Sequence, residues 1–349
     1  MALVGERDGD VVRVGADARQ RFHDARGYGY PLEGNEIALA PVEAAHLLFH
    51  GGLEAIEWDG DTLGFREFTQ RESDASFGVH FLVYADLRSR GFYLSPAERP
   101  WVGDPPTGDV DFVVYQRGDG RDGNVAYRIR VVGERMAIPA STLSPGVLAV
   151  VDEESEITYF AVDRFAPTGS SEWELPTAVA ADAFADRVVV WEPPSSLYER
   201  GFFGQPLSPR EDDDGPLQCS LLEAAYLAER GALSLDESTV RAQGQAVEGD
   251  RFDRRARVYS TLREEGIVPK TGYKFGADFR TYSHVKSVDA LGHSEHLVRV
   301  CGPDHVFEPR ALALDVRLAH GVRKKMVFAL SGETASGPVE WWTVSRLTP

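Results

Sequence analysis

Apolar and polar residues alternate along this chain in two rhythms. In residues 255–266, RARVYSTLREEG, Val258 and Leu262 stand four apart, so they share one face of a helix, and Gly266 supplies its stop. The stretches DFRTY (278–282) and EHLVRV (295–300) alternate in character and read as short strands. A second helix is predicted over 309–325, PRALALDVRLAHGVRKK. Pro309 suits its first turn, and the basic residues at its end suit the helix dipole. Two strands joined by a short loop close the chain.

The same rhythm occurs twice. GADARQRFHDARGYGYPL followed by EIALAPVEAAHLLFHGGLEAIEW is answered by VVVWEPPSSLYERGFFGQPL followed by PLQCSLLEAAYLAERGALSL. FLVYADLRSRGFYL is answered by ARVYSTLREEGIVP, GDVDFVVYQRG by YKFGADFRTYS, and NVAYRIRVVG by HSEHLVRVCG. The period of about 170 residues is too long for a solenoid and suits a duplicated two-domain unit. The expected fold is α+β, in two tandem repeats. Each repeat joins a small α/β domain to a second domain with a mixed or antiparallel sheet flanked by helices. The expected divisions are 1–75, 76–166, 167–250 and 251–349, with the polar, turn-rich stretch 166–176 as the linker. The copies differ in one informative way. The first has only MAIPASTLSPGV where the second has the long helix, and Asn124 where the second has His293. One half is therefore expected to be chemical and the other, 76–166, structural.

Charge sharpens this contrast. The 349 residues carry a formal charge of −18, with 55 acidic against 37 basic residues. The only lysines are Lys270, Lys274, Lys286, Lys324 and Lys325. An acidic surface that prefers arginine to lysine suits concentrated salt, where repulsion is screened; a GC-rich genome would favour arginine too. Residues 251–330 hold fifteen basic and nine acidic residues, a local charge of +6 that leaves −24 for the remainder. That island contains every lysine and is a candidate surface for a polyanion. Charges paired with the acidic remainder would give the same count. Two cysteines without a CxxC exclude a disulfide framework and a cysteine zinc site. With no signal-peptide pattern and no long apolar run, the expected location is the cytoplasm.

Within the island, Tyr282, His293 and Lys324 could act together. Each alone has a plainer role: strand packing, a turn residue and a dipole partner. His284, His296, His305 and His320 lie nearby, so residue type does not single out His293.

Three blocks, VYSTLREEGIVPKTGYKFGADFRTY, HSEHLV and VRLAHGVRKKMVFAL, resemble the catalytic domain of archaeal tRNA-splicing endonucleases over most of 258–330. The first half and the LLEAAYLAERG helix fit the arrangement in which one chain carries two fused repeats and two chains form a pseudo-tetramer. The resemblance implies a catalytic triad of Tyr282, His293 and Lys324. It also implies cleavage of precursor tRNA at a bulge-helix-bulge, leaving 2′,3′-cyclic phosphate and 5′-hydroxyl ends, with no metal or other cofactor. Cleavage without metal needs a base for the 2′-hydroxyl, an acid for the leaving 5′-oxygen and positive charge beside the phosphorane. The resemblance makes Tyr282 the base; His293 is a natural acid and Lys324 supplies charge.

Arg317, His320 and Lys324, spaced i, i+3 and i+7, are expected on one helix face. Arg317 matches a family arginine that grips an extruded base, Arg346 is the candidate for a second, and Arg280 is a further RNA-binding candidate. The acidic loop of Asp152, Glu153, Glu154 and Glu156 is expected to dock into a basic pocket on a partner's catalytic half, and a solvated surface loop is the plainer alternative. Lys270 and Lys274 are expected to shape the pocket or meet that loop. Two other readings remain. One is a non-catalytic structural subunit, against which the intact triad argues. The other is a metal-dependent nuclease of restriction-like fold, whose Asp…Glu-x-Lys cluster is missing from the island.

Overall fold

Each repeat contributes five strands to one ten-stranded sheet, and the two sets meet edge to edge at its centre. From one edge the strands are Val268–Thr271, Phe279–Tyr282, His296–Cys301, Lys325–Leu330 and Glu340–Leu347. The series continues with Ile157–Arg164, Gly146–Val151, Val125–Gly133, Phe112–Tyr115 and Leu94–Pro96. Read outward from the centre, the two halves follow the same order, which is the duplication expressed in space. The structure is a computed structural model and describes residues 3–72, 76–120, 123–208, 215–332 and 338–349.

The central seam is the antiparallel pairing of Ile157–Arg164 with Glu340–Leu347, where Val162 faces Val344 and Phe160 faces Arg346. A second short pairing, Ile138–Pro139 with Val306–Phe307, crosses between the repeats in the same sense. One buried cluster includes Val150, Phe160 and Val162 from the first repeat and Phe328, Trp342 and Val344 from the second. The two nuclease-like domains therefore share a core. Strands Gly146–Val151 and Lys325–Leu330 are nearly unbroken apolar runs, as strands covered on both faces must be.

Each small N-terminal domain places a sheet against a helix with a buried glutamate at its third position. In the first repeat, six strands pack with Pro41–Phe49; in the second, four strands pack with Leu221–Glu229. Glu223 closes a capping box with Ser220 and also accepts from the backbone N–H of Gly204 at 3.1 Å. Glu43 does the same with Gly29, at 2.8 Å. The third partner differs. Trp101 Nε1 donates to Glu43, whereas Lys270 Nζ donates to Glu223.

One expectation about the elements needs correction. The helix over 309–325 is shorter: it spans Pro309–Gly321 and closes at Val322. Arg323 takes a left-handed φ of 58°, and the N–H groups of Arg323 and Lys324 return to the carbonyls of His320 and Ala319. This is a Schellman close, formed here without glycine at the left-handed position. Lys324 therefore follows the helix and does not share its face with Arg317 and His320. The stretch 166–176 is irregular, but it is docked rather than free. Gly169 and Ser171 donate to the carbonyls of Glu265 and Gly266, and Ser171 is buried.

Candidate active site

Strand direction and register bring the three candidate residues to one end of the sheet. Phe279–Tyr282 runs antiparallel to His296–Cys301, which runs parallel to Lys325–Leu330. Thr281, His296 and Lys325 are paired across the three strands. Tyr282 is the last residue of the first strand, His293 lies in the loop entering the second, and Lys324 directly precedes the third. Main-chain bonds knit the end together. Glu295 donates to the carbonyl of Thr281 at 2.9 Å, and Lys325 donates to that of Glu295 at 3.0 Å.

Lys324 is tied to the histidine loop. Its Nζ donates to the carbonyl oxygen of Ser294, the neighbour of His293, at 2.6 Å. Partial burial and the nearby guanidinium of Arg280 hold its ammonium below the usual lysine range, against the pull of Glu295. His293 is exposed, and among the described residues no group bonds its ring. The nearby histidines are otherwise engaged: His284 with Ser170 Oγ at 2.9 Å, and His296 and His305 against the rings of Phe165 and Phe307. His320 is exposed on the last turn of its helix.

Tyr282 is held by the second N-terminal domain as much as by its own strand. It is buried with Val268, Val285 and Phe202, whose ring meets it edge-on at 5.8 Å. Phe202 is fixed in turn by Lys270, which donates to the carbonyls of Phe202 and Gly204, each at 3.1 Å, and pairs with Glu223 at 2.6 Å. Lys270 is buried and therefore serves the frame; it cannot meet a partner's loop or RNA. Lys274 is exposed on the turn Tyr273–Phe275. Sequence reading missed Phe202 and Ser294, because an N-domain phenylalanine and a main-chain carbonyl carry no motif.

The basic island is less free than its charge suggests. Arg251 and Arg255 pair with buried Asp278 at 2.6 and 2.9 Å, and Arg255 also with Glu248 at 2.6 Å. Arg299 pairs with Asp315 at 2.7 Å. Arg280 lies 5.9 Å from the Tyr282 ring centroid, with its Nε buried and without a hydrogen-bond partner. Arg317 is exposed on the helix Pro309–Gly321, and Arg346 is exposed on the seam strand. Asp152, Glu153, Glu154 and Glu156 form the tip of the hairpin between Gly146–Val151 and Ile157–Arg164. The Asp152 carboxylate accepts from the N–H groups of Glu154 and Glu156, both at 2.9 Å, and Glu153 pairs with Arg135.

Among the described residues, no cluster of three or more His, Cys, Asp or Glu side chains could hold a metal, and no helix is long and apolar enough to cross a membrane.

The comparisons identify the domain that carries these strand ends as a nuclease domain. Residues 252–341 match the family model of the tRNA intron endonuclease catalytic C-terminal domain, and residues 4–69 and 181–243 match that of the N-terminal domain. The chain belongs to the tRNA intron endonuclease family and is an endonuclease. It is 57% identical over 99% of both chains to the tRNA-splicing endonuclease of Halobacterium salinarum. It is 53% identical to that of Haloferax volcanii, over 99% of this chain and 100% of the relative. Identity to that of Methanosarcina mazei is 37%, over 97% of both.

Proposed function

We propose that this enzyme cuts precursor tRNA in the cytoplasm at intron–exon junctions presented as a bulge-helix-bulge, without a metal. The observation that carries the reading is the convergence of Tyr282, His293 and Lys324, with Lys324 tethered beside His293 through Ser294. Tyr282 takes the proton of the 2′-hydroxyl as that oxygen bonds to the adjacent phosphorus. The bond from phosphorus to the 5′-oxygen breaks, and His293 gives its proton to that oxygen. The ammonium of Lys324 stabilises the charge that builds on the phosphorane. The products are a 2′,3′-cyclic phosphate and a 5′-hydroxyl. Arg317 and Arg346 grip extruded bases, for which their exposed guanidinium groups are suited.

Two chains form the working pseudo-tetramer. The acidic hairpin of one enters a cavity of about 560 Å³ between the second N-terminal domain and the catalytic sheet of the other. Lys270, Arg255 and Arg187 line that cavity but are already paired, so Lys274 and Arg280 are the cations left for the hairpin. Arg280 also neighbours Tyr282, so docking acts next to the site.

The test is cleavage of a bulge-helix-bulge RNA by wild type and His293→Ala, with and without EDTA. Wild type should cut in EDTA and the variant should not. A substrate with 2′-deoxyribose at the cut position should stay intact; its cleavage would overturn the mechanism.

A further inference from the structure

An arginine that a tryptophan caps in the second repeat lines a cavity in the first. Arg263, on the helix Arg251–Glu264, is 2% exposed. Its Nη1 donates to the carbonyl of Gly201 at 2.7 Å, and its guanidinium carbon lies 3.8 Å from the ring centroid of Phe203. The indole of Trp173, carried in by the docked stretch 166–176, covers it at 4.8 Å. Tyr226 stacks on Phe203 at 5.8 Å.

The first repeat builds the same frame. Arg88, on the helix Phe77–Ser89, donates through Nη2 to the carbonyl of Arg26 at 2.8 Å and lies 4.0 Å from the ring centroid of Tyr28. His46 stands where Tyr226 stands, three residues beyond the buried glutamate. What differs is the cover. Arg88, Tyr28 and His46 line an open cavity of about 420 Å³, together with Arg26, His50 and Tyr93. Nη1 of Arg88 is buried without a hydrogen-bond partner, the Tyr93 ring centroid lies 5.5 Å from its guanidinium carbon, and no carboxylate is among the lining residues. In a chain of −18, Arg26 and Arg88 around one cavity without a lining carboxylate make a cationic spot. The volume lies in the range of small-molecule sites.

We propose that this cavity binds a nucleotide. The base stacks on the Arg88 guanidinium as the Trp173 indole lies on Arg263, and the phosphate meets Arg26 and His50. His46 already holds the Tyr28 hydroxyl through Nδ1 at 3.0 Å, which leaves its other ring nitrogen for the base edge. The nucleotide comes either from an unpaired stretch of RNA or from the free pool. Only the first source rests on the RNA-cutting reading.

The experiment follows the ring resonances of His46 and His50 by NMR in the full chain. The titrants are adenosine 5′-monophosphate, adenosine, inorganic phosphate and a tri-adenylate RNA. The monophosphate is expected to shift both rings and to bind at least tenfold more tightly than adenosine or phosphate alone. Arg26→Ala with His50→Ala, both exposed positions, should weaken it at least tenfold as read at His46. If the trinucleotide competes with the monophosphate, the source is RNA; if it does not, the source is the free nucleotide. The proposal fails if millimolar monophosphate moves neither ring, if phosphate alone binds equally well, or if the double variant binds like wild type. Cleavage of bulged RNA by wild type is measured alongside, so failure of the RNA-cutting reading is seen separately.

Discussion

Lys324 donates its ammonium proton to the carbonyl of Ser294 at 2.6 Å, so the charge proposed for the phosphorane is fastened to the backbone beside His293. The tether gives the two residues different mutational signatures. His293→Ala removes an exposed ring that bonds nothing among the described residues, so the melting temperature should hold. Single-turnover cleavage should fall roughly 10²–10⁴-fold. Lys324→Ala should lose a comparable factor and also loosen the loop, seen as faster amide exchange at residues 293–295.

Lys270→Met tests the frame behind Tyr282. The variant leaves Glu223 buried without its cation and frees the carbonyls of Phe202 and Gly204. Removing one partner of such a buried pair costs about 3–5 kcal/mol. Urea unfolding should show that loss, and Lys270→Met with Glu223→Gln should recover part of it. A Lys270→Met protein as stable as wild type would contradict a framework role.

His46 makes the first repeat acid-sensitive. Burial, with His50 and Arg88 beyond it, lowers its pKa to about 3 from an ordinary value near 6.5. The unfolded chain therefore takes up the proton first. Stability from the neutral ring is complete above about pH 6.5 and declines as pH falls towards 3. Solvent screens part of the effect, which should amount to about 1 kcal/mol between pH 7 and pH 5. Urea unfolding of His46→Gln should show a flatter dependence over that interval.

The acidic hairpin divides its labour. Asp152 shapes the turn by accepting two N–H groups, while Glu154 and Glu156 present charge outward. Glu154→Lys with Glu156→Lys should leave the monomer folded and dissociate the proposed dimer in sedimentation velocity. An intact dimer would refute docking.

Arg317→Ala removes an exposed guanidinium that no described residue holds. If it grips a base, stacking of this kind is worth about 1–3 kcal/mol. Binding of bulged RNA should weaken about 5- to 150-fold, with little change for a fully paired duplex of the same length.

Much of this was legible in the sequence. The duplication, the α+β class and the triad candidates could be read because they lie in local patterns: helical and strand periodicity, a repeated order of elements, and short motifs at strand ends. Lys324 was misplaced onto the helix because the periodic pattern continues past Gly321. Only the left-handed turn at Arg323 shows where the hydrogen-bond ladder stops. Lys270 looked like a surface cation because composition counts charges without their partners. Glu223, 47 positions earlier in the chain, consumes this one.

The sequence by itself determined which elements form and which side chains could do chemistry, since both depend on neighbours a few residues apart. Tertiary structure alone decided which of those groups meet. Strand direction and register carried Tyr282, His293 and Lys324 to one sheet end. Pairing engaged Lys270, Arg255 and Arg299, and burial took Lys270 from the surface. A distant tryptophan, Trp173, covered Arg263, while Arg88 lines a cavity. These outcomes depend on contacts between residues far apart in the chain, which local patterns do not encode.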